Sequence, residues 1–132
     1  MTPGQGGTPT VSRTLAAPAP YPLTAESTVY VAGHRGMVGS AVCRALADSG
    51  RGRGVGHSSA ELDLRRSEGV ERTLRAVRPD AVVDAAARVG GILANAEAPA
   101  TFLEENLRIQ LNLLGAARGA GVERLLFLGS SC

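Results

Sequence analysis

The sequence predicts an α/β fold built on a doubly wound parallel sheet, and three observations carry that expectation. Strand-like and helix-like stretches alternate from residue 28 to residue 132. A short apolar run, Val29, Tyr30, Val31 and Ala32, passes directly into three glycines spaced three apart, Gly33, Gly36 and Gly39. The helical stretches between the strand-like runs each carry one apolar face, as helices packed on a sheet must.

Residues 28–32 form the first strand. The helix expected over 37–48 puts Val38, Val42, Ala45 and Leu46 on one face and ends at Ser49 and Gly50. A second strand over 53–57 is inferred from the alternation itself, because Gly52, Gly54 and Gly56 give it little β propensity. Ser67 is placed to cap a helix that carries Val70, Leu74 and Val77 inward, with Glu71, Arg72 and Arg75 outward, until Arg78, Pro79 and Asp80 stop it. The third strand is expected over 81–85. A longer helix opens at 98–101, with Thr101 and Glu104 spaced as a capping box and Leu103, Leu107, Leu111 and Leu114 as its apolar stripe. Gly119, Ala120 and Gly121 close it, and 124–128 is the last strand. The order β-α-β-α-β-α-β implies right-handed crossovers with helices on both faces, which is half of a doubly wound fold. Residues 1–27, rich in Pro, Gly, Thr and Ala, read as a disordered tail, leaving 28–132 as the folded unit.

Composition excludes several function classes. The formal charge is +2 with acids and bases interleaved, and two Phe, two Tyr and no Trp offer little for stacking, so nucleic acid is not an expected partner. All basic side chains are Arg and none is Lys. No apolar segment approaches the roughly 20 residues that span a bilayer, and no secretory signal opens the chain, so no membrane association is expected. Two cysteines far apart in such a chain suggest reduced thiols and a cytoplasmic location. No metal site is expected, because neither His34 nor His57 has a ligand-type residue at a suitable spacing. Cys43 reads as a small packing residue.

The glycine triplet is a phosphate-binding turn in form. Gly33 allows the tight turn after Ala32, Gly36 lets a pyrophosphate approach backbone N–H groups, and Gly39 packs the helix against the strand. The helix opening near Met37 points its free N–H groups and positive dipole end at the phosphates. A chance triplet is the competing reading in a chain with 17 glycines, but it supplies neither the preceding strand nor the following helix. At the end of the second strand, where an acid would accept the ribose 2′-hydroxyl of NAD, the residues are Val55, Gly56, His57, Ser58 and Ser59. The lack of an acid among them favours NADP.

Four segments then carry a more specific likeness: residues 33–42 (GHRGMVGSAV), 60–64 (AELDL), 85–102 (AAARVGGILANAEAPATF) and 125–132 (LLFLGSSC). In order and spacing they resemble the GDP-L-fucose synthases, the GDP-4-keto-6-deoxymannose epimerase-reductases among the extended short-chain dehydrogenases. The resemblance implies a Rossmann domain, NADP(H) as cofactor, a GDP-sugar as substrate and a homodimer for the full-length enzyme. It places Gly33, His34, Arg35, Gly36, Met37, Val38 and Gly39 around the pyrophosphate, with Arg35 reaching the 2′-phosphate. Ser59 stands where the family usually has an arginine. Asp63 and Leu64 match adenine contacts, Ala86 lets the cofactor pass close to the third strand, and Leu128, Gly129, Ser130 and Ser131 match the nicotinamide side. Ser130 matches the catalytic serine that hydrogen-bonds the C4 keto oxygen, and Cys132 the base for epimerisation at C3 and C5.

The resemblance covers about the first third of the family and stops before its Tyr-x-x-x-Lys pair and substrate domain. Neither Tyr21 nor Tyr30 heads such a pair, since Ala25 and His34 follow at the required spacing. The 132 residues are therefore expected to be inactive alone. Two alternatives stand beside this reading: a noncatalytic truncated fragment that binds nucleotide or a partner, and another NAD(P)-dependent sugar-nucleotide epimerase or dehydratase. The last strand, Leu125, Leu126, Phe127 and Leu128, is expected to present an apolar unpaired edge.

Overall fold

A computed structural model of the chain describes residues 22–90 and 92–129. Most of the expected tail, residues 1–21, and the expected site residues Ser130, Ser131 and Cys132 lie outside the described residues. Four strands, β1 (Thr28–Ala32), β2 (Arg53–Val55), β3 (Ala81–Asp84) and β4 (Leu125–Phe127), form one sheet in the order β2-β1-β3-β4. Every pairing is parallel, with Tyr30 opposite Val55 and Val82, and Val83 opposite Leu126. The order reverses between β1 and β3, so the crossovers on either side of that point lie on opposite faces. A crevice forms there at the carboxyl ends of the strands.

β1 sits at the centre and is covered on both faces, which explains its unbroken apolar run. Its side chains alternate between two cores. Tyr30 and Ala32 join Val70 and Leu74 of α2 (Ser67–Val77) and Ile109, Leu113, Ala116 and Ala117 of α4 (Pro99–Gly119). Val29 and Val31 face the other way, toward Val42, Cys43 and Leu46 of α1 (Met37–Ser49) and toward Leu23. Residues 22–27, which the sequence reading assigned to the tail, include a turn in which Ser27 N–H donates to Thr24 O at 3.1 Å.

Several local expectations change. Only Val42 and Leu46 of the proposed α1 face pack on the sheet, while Val38 and Ala45 are exposed. β2 is two residues shorter than expected, because the chain leaves the ladder after Val55 to wrap the crevice. Its glycines are required by packing. A Cβ at Gly54 would lie 2.8 Å from Cys43 Sγ, and one at Gly56 would lie 2.5 Å from the His34 ring. β3 ends at Asp84 and not at 85, and Ser67 is the first residue of α2, whose cap position is Arg66. A short α3 (Ile92–Glu97) precedes α4, which starts on Pro99 with no side-chain cap, so the expected Thr101 capping role is not used. The stripe of Leu103, Leu107, Leu111 and Leu114 is 63%, 47%, 66% and 49% exposed, and the opposite face of α4 is the buried one. No helix among the described residues is long and apolar enough to cross a membrane.

Candidate functional site

The glycine turn is shaped by close backbone contact, with itself and with the segment that follows β3. Gly33 takes φ +77°, a left-handed conformation, and a Cβ there would meet the Ala85 carbonyl oxygen at 2.6 Å. At Gly39 a Cβ would lie 2.1 Å from the Gly33 carbonyl oxygen, so the third glycine packs α1 against the turn itself. Gly36 N–H donates to Gly33 O at 2.9 Å, and Gly36 then serves as the N-cap of α1. No side chain caps this end and no acid lies in its first turn, so the opening N–H groups keep the unfilled donors of a helix start.

The turn forms one wall of a cavity of about 570 Å³ at the reversal point of the sheet. His34, Arg35 and Gly36 contribute from the end of β1, His57, Ser58 and Ser59 from the end of β2, and Ala85, Ala86, Ala87 and Arg88 from the end of β3. Leu62, Asp63, Leu64 and Arg65 form the floor on the α2 side, with Glu105 and Ile109 of α4 behind them. Gly33, His34, Arg35, Gly36, Ser59, Asp63, Leu64 and Ala86, all singled out from sequence, therefore surround one space. Met37 and Val38 are exposed and do not line it, and Gly39 is buried beneath the turn. Leu128 and Gly129 follow β4 and do not line it either.

The cavity rim is a chain of ion pairs that the sequence reading missed. Arg65 grips Asp63 with Nε on Oδ1 and Nη2 on Oδ2, both at 2.9 Å, and its Nη1 reaches Glu105 Oε1 at 3.2 Å. Arg88 Nη1 donates to the second oxygen of Glu105, and the Arg88 guanidinium lies 5.1 Å from the centre of the Phe102 ring. The Arg65 donors hold the Asp63 carboxyl down at about 2, and Arg88 lowers that of Glu105. Two asparagines of α4 fix the loops that carry these groups. Asn106 accepts from Arg88 N–H at 2.7 Å and donates to Arg88 O at 3.1 Å, and Asn112 donates to Leu64 O at 2.9 Å. A repeated Asn on one helix was the available signal, at Asn106 and Asn112, but its partners lie 18 and 48 residues away.

Two further groups lie beside the cavity. Tyr30, fully buried in β1, stacks against His57 with ring centres 5.9 Å apart and its hydroxyl 3.5 Å from Nδ1. Burial raises the Tyr30 phenol to about 12, with the Glu61 carboxylate adding to the shift, so it stays protonated. Asp84, at the end of β3, is 3% exposed and accepts from Ala86 N–H at 3.2 Å. Burial raises its pKa, and that one backbone donor opposes the shift.

The family model described as the NAD dependent epimerase/dehydratase family matches residues 29–132. The chain belongs to that family. Within it, the chain is similar to proteins named GDP-L-fucose synthase. It is 53% identical over 105 residues to the probable GDP-L-fucose synthase 1 of Oryza sativa, covering 79% of this chain and 32% of that protein. It is 47% identical over 104 residues to the GDP-L-fucose synthase of Escherichia coli, covering 79% and 32%. Among solved structures it superposes on MlghC, a GDP-mannoheptose C4 reductase from Campylobacter jejuni with NADP bound, with a TM-score of 0.75 and 32% identity over 80% of this chain and 33% of that one. The chain thus spans about a third of the length of the relatives it matches. The glycine turn, the crevice and the strand order are those of a dinucleotide-binding epimerase/dehydratase domain.

Proposed function

We propose that this chain supplies the NADP(H)-binding part of a GDP-L-fucose synthase-like enzyme, an NADPH-dependent epimerase-reductase acting on GDP-4-keto-6-deoxymannose. The observation that carries the reading is the convergence of the uncapped α1 start, the glycine turn and the end of β2 on one cavity at the reversal point. These residues fit a dinucleotide: the Cβ-free turn leaves room for a pyrophosphate, and the open N–H groups of α1 supply its donors. Arg35, exposed at the cavity mouth, is the residue assigned to the 2′-phosphate, where a guanidinium makes paired bonds to phosphate oxygens. The bound dinucleotide would supply hydride for reduction at the sugar C4. Ser130 is assigned to hold the C4 oxygen and Cys132 to take the protons at C3 and C5, both on the strength of the resemblance. Met37, Val38, Leu128, Gly129 and Ser131 keep their proposed places along the cofactor on the same basis.

The homodimer proposed for the full-length enzyme would use the leucine face of α4, in keeping with the exposure of Leu103, Leu107, Leu111 and Leu114. For the cofactor, calorimetric titration of NADPH and NADH into the wild-type chain and Arg35→Ala is the test. Loss of a charged bond to phosphate is worth about 1.5–3 kcal/mol. Arg35→Ala should therefore weaken NADPH about tenfold or more while leaving NADH nearly unchanged. Equal losses for the two cofactors would refute the assignment of Arg35.

A further inference from the structure

Phe102, Glu105, Asn106, Ile109 and Asn112 are spaced so that they share the face of α4 opposite its exposed leucines. That face grips two loops at once. The Arg88 guanidinium lies over Phe102, Asn106 bonds both backbone groups of Arg88, and Asn112 donates to Leu64 O. Between these contacts Glu105 divides its carboxylate. Oε1 accepts from Arg65 Nη1 at 3.2 Å, on the loop after β2, and Oε2 accepts from Arg88 Nη1, on the loop after β3. Glu105 and both arginines line the cavity, and Glu105 is far less exposed than either of them.

Resting on the dinucleotide reading above, we propose that Glu105 is a positioning residue for the cofactor: its two oxygens keep the guanidinium groups of Arg65 and Arg88 over the cavity, ready for an anionic ligand. Charge alone predicts the opposite. Arg35, Arg65 and Arg88 set against Asp63 and Glu105 leave the lining at +1 with its histidines neutral, so a carboxylate there opposes a cofactor that carries phosphates. Two features of the geometry favour positioning. Salt screens exposed charges beyond about 8 Å at physiological ionic strength, whereas the two bonds to Glu105 are direct. Long side chains that are unrestrained before binding lose conformational freedom when they bind, and a carboxylate that already restrains two of them lowers that cost. The bridge also needs a carboxylate of this length. A Gln offers one acceptor oxygen where two guanidinium groups require two, and an Asp lacks the reach.

The experiment is calorimetric titration of NADPH into the wild-type chain, Glu105→Gln and Glu105→Asp, with a thermal melt of each to show that it is folded. Gln keeps the length and loses the charge, while Asp keeps the charge and loses a methylene. Both variants should bind NADPH about tenfold more weakly, roughly 1.4 kcal/mol. In a background of Arg65→Gln and Arg88→Gln the same two changes should have no further effect, because nothing is left for Glu105 to position. Tighter binding to Glu105→Gln, with wild-type affinity in Glu105→Asp, would mean that charge alone acts and would overturn the proposal. Unchanged affinity in both variants, or equal weakening with and without the two arginines, would also overturn it and leave the dinucleotide reading standing. Failure of the wild-type chain to bind NADPH would remove both.

Discussion

On one side of the cavity the wall is backbone: Gly33 and Gly36 turn the chain, and Gly39 lets α1 press against the Gly33 carbonyl. On the other side it is side chains: Asp63, Arg65, Glu105 and Arg88 link a loop after β2, α4 and a loop after β3. The first wall is built from backbone contacts, within the turn and against Ala85, and has no room to adjust. The second is assembled from side chains drawn from positions 63 to 105, in which the long, nearly half-exposed Arg65 and Arg88 are free to swing about the less exposed Asp63 and Glu105. A local wall made of backbone is rigid and intolerant, while a distant one made of charges is adjustable and weak.

Gly39→Ala should damage the backbone wall most severely. The added Cβ would sit 2.1 Å from Gly33 O and 2.6 Å from Gly33 C, and neither is a flexible side chain that can move aside. Overpacking of this kind costs about 1–3 kcal/mol and sometimes more, so the expected loss is about 3 kcal/mol by urea denaturation. Gly54→Ala provides the contrast. Its nearest obstacle is Cys43 Sγ at 2.8 Å, which can rotate, so the loss should be about 1 kcal/mol. Equal costs at the two positions would mean that the turn is no more rigid than the β2 packing.

The same contrast explains what could be read from the sequence. The turn was legible because its requirement is local: three small residues between an apolar strand and a helix admit few other structures. The sheet followed from the alternation, and β1 fell at its expected bounds. α4 was placed correctly but rotated, because it is apolar on two sides. Leu103, Leu107, Leu111 and Leu114 make the bulkier stripe, yet the sheet side takes Ile109, Leu113, Ala116 and Ala117, whose small members let α2 approach. Periodicity gives a direction to each stripe without saying which one meets the sheet. β2 was weak in propensity because its glycines answer to Cys43 and His34 on other elements.

Glu105→Gln probes the second wall. Glu105 is the shared acceptor of Arg65 and Arg88, and its side chain is 17% exposed while theirs are close to half exposed. Removing its charge breaks two ion pairs at once, but solvent screens both. The expected loss is small at low ionic strength and falls toward zero in about 1 M salt, where the Debye length is only about 3 Å. Thermal melts of wild type and variant across a salt series would measure it. A loss that persists undiminished in high salt would mean that Glu105 acts through packing, and the side-chain wall would then be as rigid as the backbone one.

The smallest effect is expected at Asp63, and its sign follows from the direction of the shift. Arg65 holds the folded-state carboxyl at about 2, below its ordinary value of 3.8, so the folded chain releases this proton more readily than the unfolded one. Its contribution to stability is therefore complete above about pH 4, declines as acid protonates the unfolded chain, and is gone once the pH falls through about 2. Asp63 is one-third exposed and Arg65 nearly half, so screening reduces the contribution below what the shift alone would suggest. Asp63→Asn should leave the acid limb of the stability curve, between about pH 4 and pH 2, shallower than in the wild type and should lower stability only slightly at pH 7. Urea denaturation at intervals across that range measures the slope directly. An acid limb equally steep in the variant would assign the acid sensitivity to other carboxylates and leave the Asp63–Arg65 pair with a purely geometric part in holding the cavity floor.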